Sequence, residues 1–138
     1  MEPTKFSLWE ADVVQNSAFR RVLYTGKNMQ VVAMRLRHGW ETGWENHPYV
    51  EQMFLVVNGQ GRIYMDRGST GSAMDIRPSS LVVVPPGYRH NLRNESRRHD
   101  LVLMTVYSPP NHLPGTVHLN PQEAADDVED EEFGKSVR

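Results

Sequence analysis

Val32, Met34 and Leu36 alternate with Ala33, Arg35 and Arg37, so a strand here would bury one face and wet the other. Residues 51–57 (EQMFLVV) form a strand-length apolar run closed by Asn58-Gly59, a strong hairpin-turn signal, and residues 61–66 (GRIYMD) read as the returning strand. The Gly- and Ser-rich residues 67–73 read as a loop. Residues 81–84 make a short apolar strand stopped by Pro85-Pro86-Gly87, and residues 101–107 are the last clear strand before Pro109-Pro110. Helical signals begin only after Asn120, where Pro121 suits a first helical position and Glu123, Ala124 and Ala125 follow. Short strands at this spacing predict an all-β sandwich or barrel. Residues 1–120 form its single domain, including an N-terminal extension, and residues 121–138 form a tail.

Within residues 51–57 the odd positions Met53, Leu55 and Val57 are as apolar as Phe54 and Val56. A strand apolar on both faces is covered on both. A homodimer is expected to supply the second cover, with the N-terminal segment (Phe6, Leu8, Trp9, Val13, Val14) as the other candidate.

The 138 residues suit one domain. No apolar run approaches the roughly 18 residues of a membrane span, and no signal-peptide core opens the chain, so a cytoplasmic protein is expected. The absence of cysteine excludes disulfides, thiolate nucleophiles and Cys-ligated metals. Any metal must be held by His, carboxylates and carbonyl oxygens. Residues 121–138 carry seven acids against two bases and read as a solvated, frayed or partly helical terminus; the remainder is mildly basic without a dense cationic stripe, which argues against nucleic acid.

Two clusters carry the candidate chemistry. The first runs from Gly39 through Glu45, His47 and Gln52 to Gly59; the second contains Pro85, Gly87, His90 and Asn94. Together they resemble the two motifs of the cupin superfamily. Gly39 and Gly59 stand in register with the first motif, and Glu45, His47 and Gln52 take its ligand positions. The second is matched by Pro85, Gly87, His90 and Asn94, with Ser79 in place of its leading Gly. The resemblance implies a cupin jelly-roll β-barrel (double-stranded β-helix) of six to eight antiparallel strands. The usual cupin set is three His and one Glu, whereas this chain offers Glu45, His47, Gln52 and His90. It is similar in this to a narrower group of small bacterial cupins, often labelled mannose-6-phosphate isomerase-like. These share phrases akin to the one opening at Phe19-Arg20 and closing at Gly26, and the one from Tyr107 through His112 to His118.

The residues support ligation on their own terms. Glu45 and His47 are two apart and on a strand share a face, while Gln52 shares a face with Phe54 and Val56. Two imidazoles and one carboxylate make a three-ligand face with open positions, and the Gln carbonyl would be a weak fourth donor. Glu51 is turned to the opposite face, and six residues separate Gln52 from Gly59 as the motif requires. One divalent transition ion is expected, with Zn, Mn, Fe, Co and Ni open. Tyr107, His112, His118 and Arg89 are candidate catalytic residues, and the segment around His112 and His118 also reads as a rigid strap over the barrel. The expected partner is a small molecule. The expected activity is metal-dependent isomerase or epimerase chemistry on a small sugar or sugar acid; a non-haem oxygenase and a non-enzymatic binding or sensing cupin are the alternatives.

Overall fold

A computed structural model describes residues 2–138. Its strands are β1 (Arg20–Thr25), β2 (Gln30–Leu36), β3 (Glu45–Asn46), β4 (Glu51–Asn58), β5 (Gly61–Arg67), β6 (Thr70–Ile76), β7 (Leu81–Val84), β8 (Arg89–Arg93), β9 (Leu101–Ser108) and β10 (Val117–His118). Two helices follow, α1 (Pro121–Asp126) and α2 (Val128–Ser136). All strand pairs are antiparallel, in a six-stranded sheet of order β10-β1-β2-β9-β4-β7 and a four-stranded sheet of order β3-β8-β5-β6. Residues from both inner faces, among them Met34, Leu36, Phe54, Ile63, Leu92 and Leu103, close into one core. This is the expected jelly-roll architecture, with ten strands rather than six to eight, because the two-residue β3 and β10 and the exposed β6 carry no apolar alternation to count.

The period-2 pattern decides which side chains reach the interior. In β4, Gln52, Phe54 and Val56 are buried, while Met53 and Leu55 on the other face are half-buried and Glu51 is exposed. The outer face near β2 is not wet, as the alternation alone suggests. Val13 lies over Ala33, Val57 and Val102, with Leu8 and Val14 beside them. Arg35 holds this N-terminal segment down by donating from Nε to Asn16 O (2.7 Å) and from Nη2 to Val14 O (2.6 Å). The chain therefore supplies cover for Val57 itself, while Leu81 and Val83 of the edge strand stay exposed.

Residues 67–73 are not a loop: β6 starts at Thr70 and pairs along its whole length with β5. Six of its seven residues are exposed, so backbone pairing at a sheet edge, rather than burial, defines it. Such a strand leaves no apolar alternation to read.

The acidic C-terminus takes the helical form among the expected alternatives, and it is docked rather than frayed. Asn120 caps α1 by accepting from Glu123 N (2.8 Å), with Pro121 in the first turn. Asp127 caps α2 by accepting from Asp130 N (3.1 Å). Ala124 and Val137 pack on the core, and Asp130 is buried. Among the described residues no helix is long and apolar enough to cross a membrane.

Candidate metal centre

Two strands, β3 and β8, bring the candidate cluster together. β3 presents Glu45, with His47 just beyond it, and pairs with β8 so that Glu45 lies opposite His90. One ligand atom from each of Glu45, His47 and His90 falls within 4.8 Å of the others. The imidazole centroids of His47 and His90 are 5.3 Å apart, and Phe54 backs His90 at 6.0 Å. The Pro85-Pro86-Gly87 turn feeds β8, where the flanking arginines are exposed and His90, Asn91 and Leu92 are buried.

The protonation states suit a cation. His90 Nδ1 faces the carbonyl of Tyr88 (3.4 Å), which leaves Nε2 as its donor atom. Burial, and then the neighbouring His47, lower its pKa and keep it neutral. Burial by itself would raise the Glu45 carboxyl. The hydrogen bond from His47 Nε2 (2.8 Å), the neighbouring imidazoles and the positive charge of Arg20 overrule it and hold the group at about 2. Glu45 is therefore an anion at any physiological pH.

Gln52, the fourth candidate, lies on β4 opposite Tyr107, whose ring packs against His47. Gln52 is 2% exposed, its Nε2 donates to Thr105 Oγ1 (3.0 Å), and its Oε1 is buried with no partner. A buried carbonyl oxygen without a donor costs about 1–3 kcal/mol. A cation would satisfy it, so the residues present fit a metal bound by Glu45, His47, His90 and the Gln52 oxygen. The exposed Glu51 contributes nothing to the cluster.

The catalytic candidates divide. Tyr107, on β9 opposite Gln52, packs edge-on against His47 (6.0 Å) and is 1% exposed. Its hydroxyl donates to His112 Nε2 (3.1 Å), and His112 Nδ1 donates to Asp130 Oδ2 (2.7 Å). Burial raises the Tyr107 phenol, keeping it protonated. His118 forms a second relay: its Nε2 donates to Asp127 Oδ2 (2.8 Å) and its Nδ1 receives Arg20 Nη1 (3.0 Å). The Tyr107–His118 segment thus does more than strap the barrel. Arg89 is not brought to the cluster. It points outward, bound to Asp66 (2.7 and 3.0 Å) and lying over Trp44 (4.5 Å).

Three residues were missed by sequence reasoning. Arg20 belongs to the phrase opening at Phe19, but nothing local assigns it a role; Asp127 and Asp130 look like two of many acids. Their spacing of three places them on one side of a helix turn, a signal that needs a docking partner to acquire meaning. Above the cluster lies a cavity of about 1000 Å³, walled by Glu45 and His47 on one side and by Gly134 and Val137 of the C-terminal segment on the other, with Arg20 and Asn111 also in its lining.

The uncharacterized protein YrkC of Bacillus subtilis is 39% identical over 106 residues, which cover 75% of this chain and 56% of YrkC. This chain thus spans little more than half of that relative. The crystal structure of BH2720 from Bacillus halodurans superposes with a TM-score of 0.77 at 34% identity, covering 80% of this chain and 85% of that one. KdgF from Halomonas sp. is similar in fold, with a TM-score of 0.60 at 18% identity over 70% of this chain and 84% of its own. Residues 32–107 match the cupin domain, and this chain belongs to the cupin family.

Proposed function

We propose that this cupin is a metal-dependent enzyme of isomerase or epimerase type acting on a small sugar or sugar acid. One divalent transition ion would be held by Glu45, His47, His90 and Gln52. The observation that carries this reading is the approach of three ligand atoms, one each from Glu45, His47 and His90, to within 4.8 Å; the buried, partnerless oxygen of Gln52 on β4 supports a fourth donor. A bound ion of this kind supplies Lewis-acid polarisation of a substrate oxygen. The chain's own residues supply the proton chemistry. Tyr107 holds a proton beside His47, His112 accepts it in hydrogen bond, and the buried Asp130 fixes the imidazole tautomer. The resemblance to mannose-6-phosphate isomerase-like cupins agrees with this chemistry, and a literal phosphosugar substrate is not required by it.

Elemental analysis of the purified protein after supplementation with Mn, Fe, Zn and Ni tests the ion; a metal-free result sinks the assignment. Interconversion of sugar isomers without O₂ supports the isomerase reading. Turnover that requires O₂ makes the protein an oxygenase, and tight ligand retention without product makes it a binding module. A homodimer belongs to the same proposal, because Leu81 and Val83 extend the half-buried row of Met53 and Leu55 across the sheet. The mass in solution by light scattering decides that part.

A further inference from the structure

We infer that the cavity over the cluster is built for a carboxylate, and that Arg20 selects an acid over the matching neutral polyol or sugar. This deepens the proposed function and rests on it for the identity of the cavity as a substrate site. Arg20 is 4% exposed, and a guanidinium so placed is ordinarily matched by a carboxylate in bidentate contact. Here it is not. The nearest carboxylate oxygen, Oε1 of Glu45, is 3.9 Å away, beyond hydrogen-bonding distance, and the other oxygen of Glu45 is taken by His47.

Arg20 also hydrogen-bonds the Tyr107 side chain and feels the charges of Glu45 and Asp130, but none of these is a carboxylate within hydrogen-bonding distance, so its charge is only partly answered. Guanidinium only donates, so the 3.0 Å contact from Nη1 makes His118 Nδ1 an acceptor and places the His118 proton on Nε2, where Asp127 receives it. Arg20 therefore faces a neutral imidazole, with Asp127 on the far side of it. Its plane lies against the Phe19 ring (5.2 Å), and its buried Nε–H has no acceptor. A divalent ion balanced by one carboxylate would add positive charge to the same region. An anion entering the cavity meets all of these deficits at once.

A second orphan refines the class. Asn111 Oδ1, also buried and in the cavity wall, has no donor. One unused donor group on a cation and one unused acceptor suit a molecule bearing both a carboxylate and hydroxyls. Phosphate fits less well. Lys135 in the same wall is exposed and pairs with Glu131 (3.2 Å), and Arg138 lies over Tyr49 (4.9 Å), so Arg20 is the buried basic side chain of the wall available to a dianion.

The test is calorimetric titration of metal-supplemented protein with two matched pairs, galacturonate against galactose and gluconate against sorbitol, with inorganic phosphate as a further probe. In the wild-type protein at least one acid should bind about tenfold tighter than its neutral partner, the margin of one charge-assisted hydrogen-bond pair. Arg20→Lys keeps the charge without the fork and should lose several-fold of that preference; Arg20→Gln should abolish it. Metal content is measured on each protein. Equal binding of acid and neutral partner, absence of binding by either acid, phosphate binding tighter than both acids, or a preference that survives substitution of Arg20 overturns the inference. If Arg20→Gln does not fold, the wild-type pairs and Arg20→Lys still decide. A preference dependent on Arg20 in protein that takes up no metal leaves the inference standing and defeats the metal assignment.

Discussion

His47 and His90 are neutral-imidazole donors to a first-row ion, and a carboxamide oxygen is a far weaker one. His47→Ala and His90→Ala should therefore abolish metal uptake. Glu45→Ala should do the same, since Glu45 alone of the four residues carries compensating charge. Gln52→Ala should retain most of the metal, and Glu51→Ala should match the wild-type protein, with content read by elemental analysis. Loss of metal in Glu51→Ala but not in Glu45→Ala would place the ligand on the other face of β4. The cupin-like motifs singled out these four candidates, and local alternation supported the faces of Glu45, His47 and Gln52, while His90 was marked by its place after the Pro85-Pro86-Gly87 turn. Arg20 was not legible in the same way: its partner His118 is 98 residues distant, and its role exists only once β1 and β10 are paired.

The His112–Asp130 pair sets a pH dependence that can be resolved residue by residue. Burial by itself would raise the Asp130 carboxyl, but the hydrogen bond and charge of His112 and the Leu113 amide hold it below its ordinary value. Its contribution is complete above the ordinary carboxylate pKa and is lost as pH falls through the lower folded value. Burial first, and then Arg20, lower the His112 pKa. The unfolded chain thus takes up a proton that the folded protein refuses, and stability begins to fall once the pH drops below about 6.5. His112→Gln should flatten the Tm profile between pH 7 and 5. Asp130→Asn should flatten it below that range and cost about 2 kcal/mol at pH 7. Profiles parallel to the wild-type curve would show that the pair does not control acid stability.

At the scale of elements, turns fix the register that aligns the ligands. Gly59 closes the β4–β5 hairpin at φ +81°, and an added methyl would run into the carbonyl of Asp100. Gly59→Ala should therefore cost at least about 2 kcal/mol in denaturant unfolding. Ser79 offers the converse. It occupies φ +74° in the turn entering β7, where the related motif has glycine, and its amide donates to Val56 O (2.9 Å). Ser79→Gly should raise stability by about 0.5–1 kcal/mol by relieving the left-handed conformation. A loss on that substitution would mean that the turn is held by more than its backbone. Central strands were readable because burial writes alternation into them. Edge strand β6, exposed and rich in small residues, carries its information in pairing with β5, which leaves no apolar trace.

At the scale of the whole molecule, the C-terminal segment turns an open barrel mouth into a cavity. Its acids read as solvated charge because charge density alone says nothing about what each carboxylate faces. Asp127 and Asp130 are spent on His118 and His112, and through them on Arg20 and Tyr107. Docking of α2 and organisation of the cavity are thus one event, coupled by two imidazoles. The apolar contribution is small, since only Ala124 and Val137 of this segment pack on the core. Asp127→Asn combined with Asp130→Asn should therefore release α2 while leaving the barrel intact. Hydrogen exchange is the direct measure: amides in residues 121–136 should lose protection by tenfold or more, about 1.4 kcal/mol of local opening free energy, while β4 and β9 keep theirs. Unchanged protection in α2 would show that the helix is held by Ala124 and Val137 alone, and the coupling between tail and cavity would then fail.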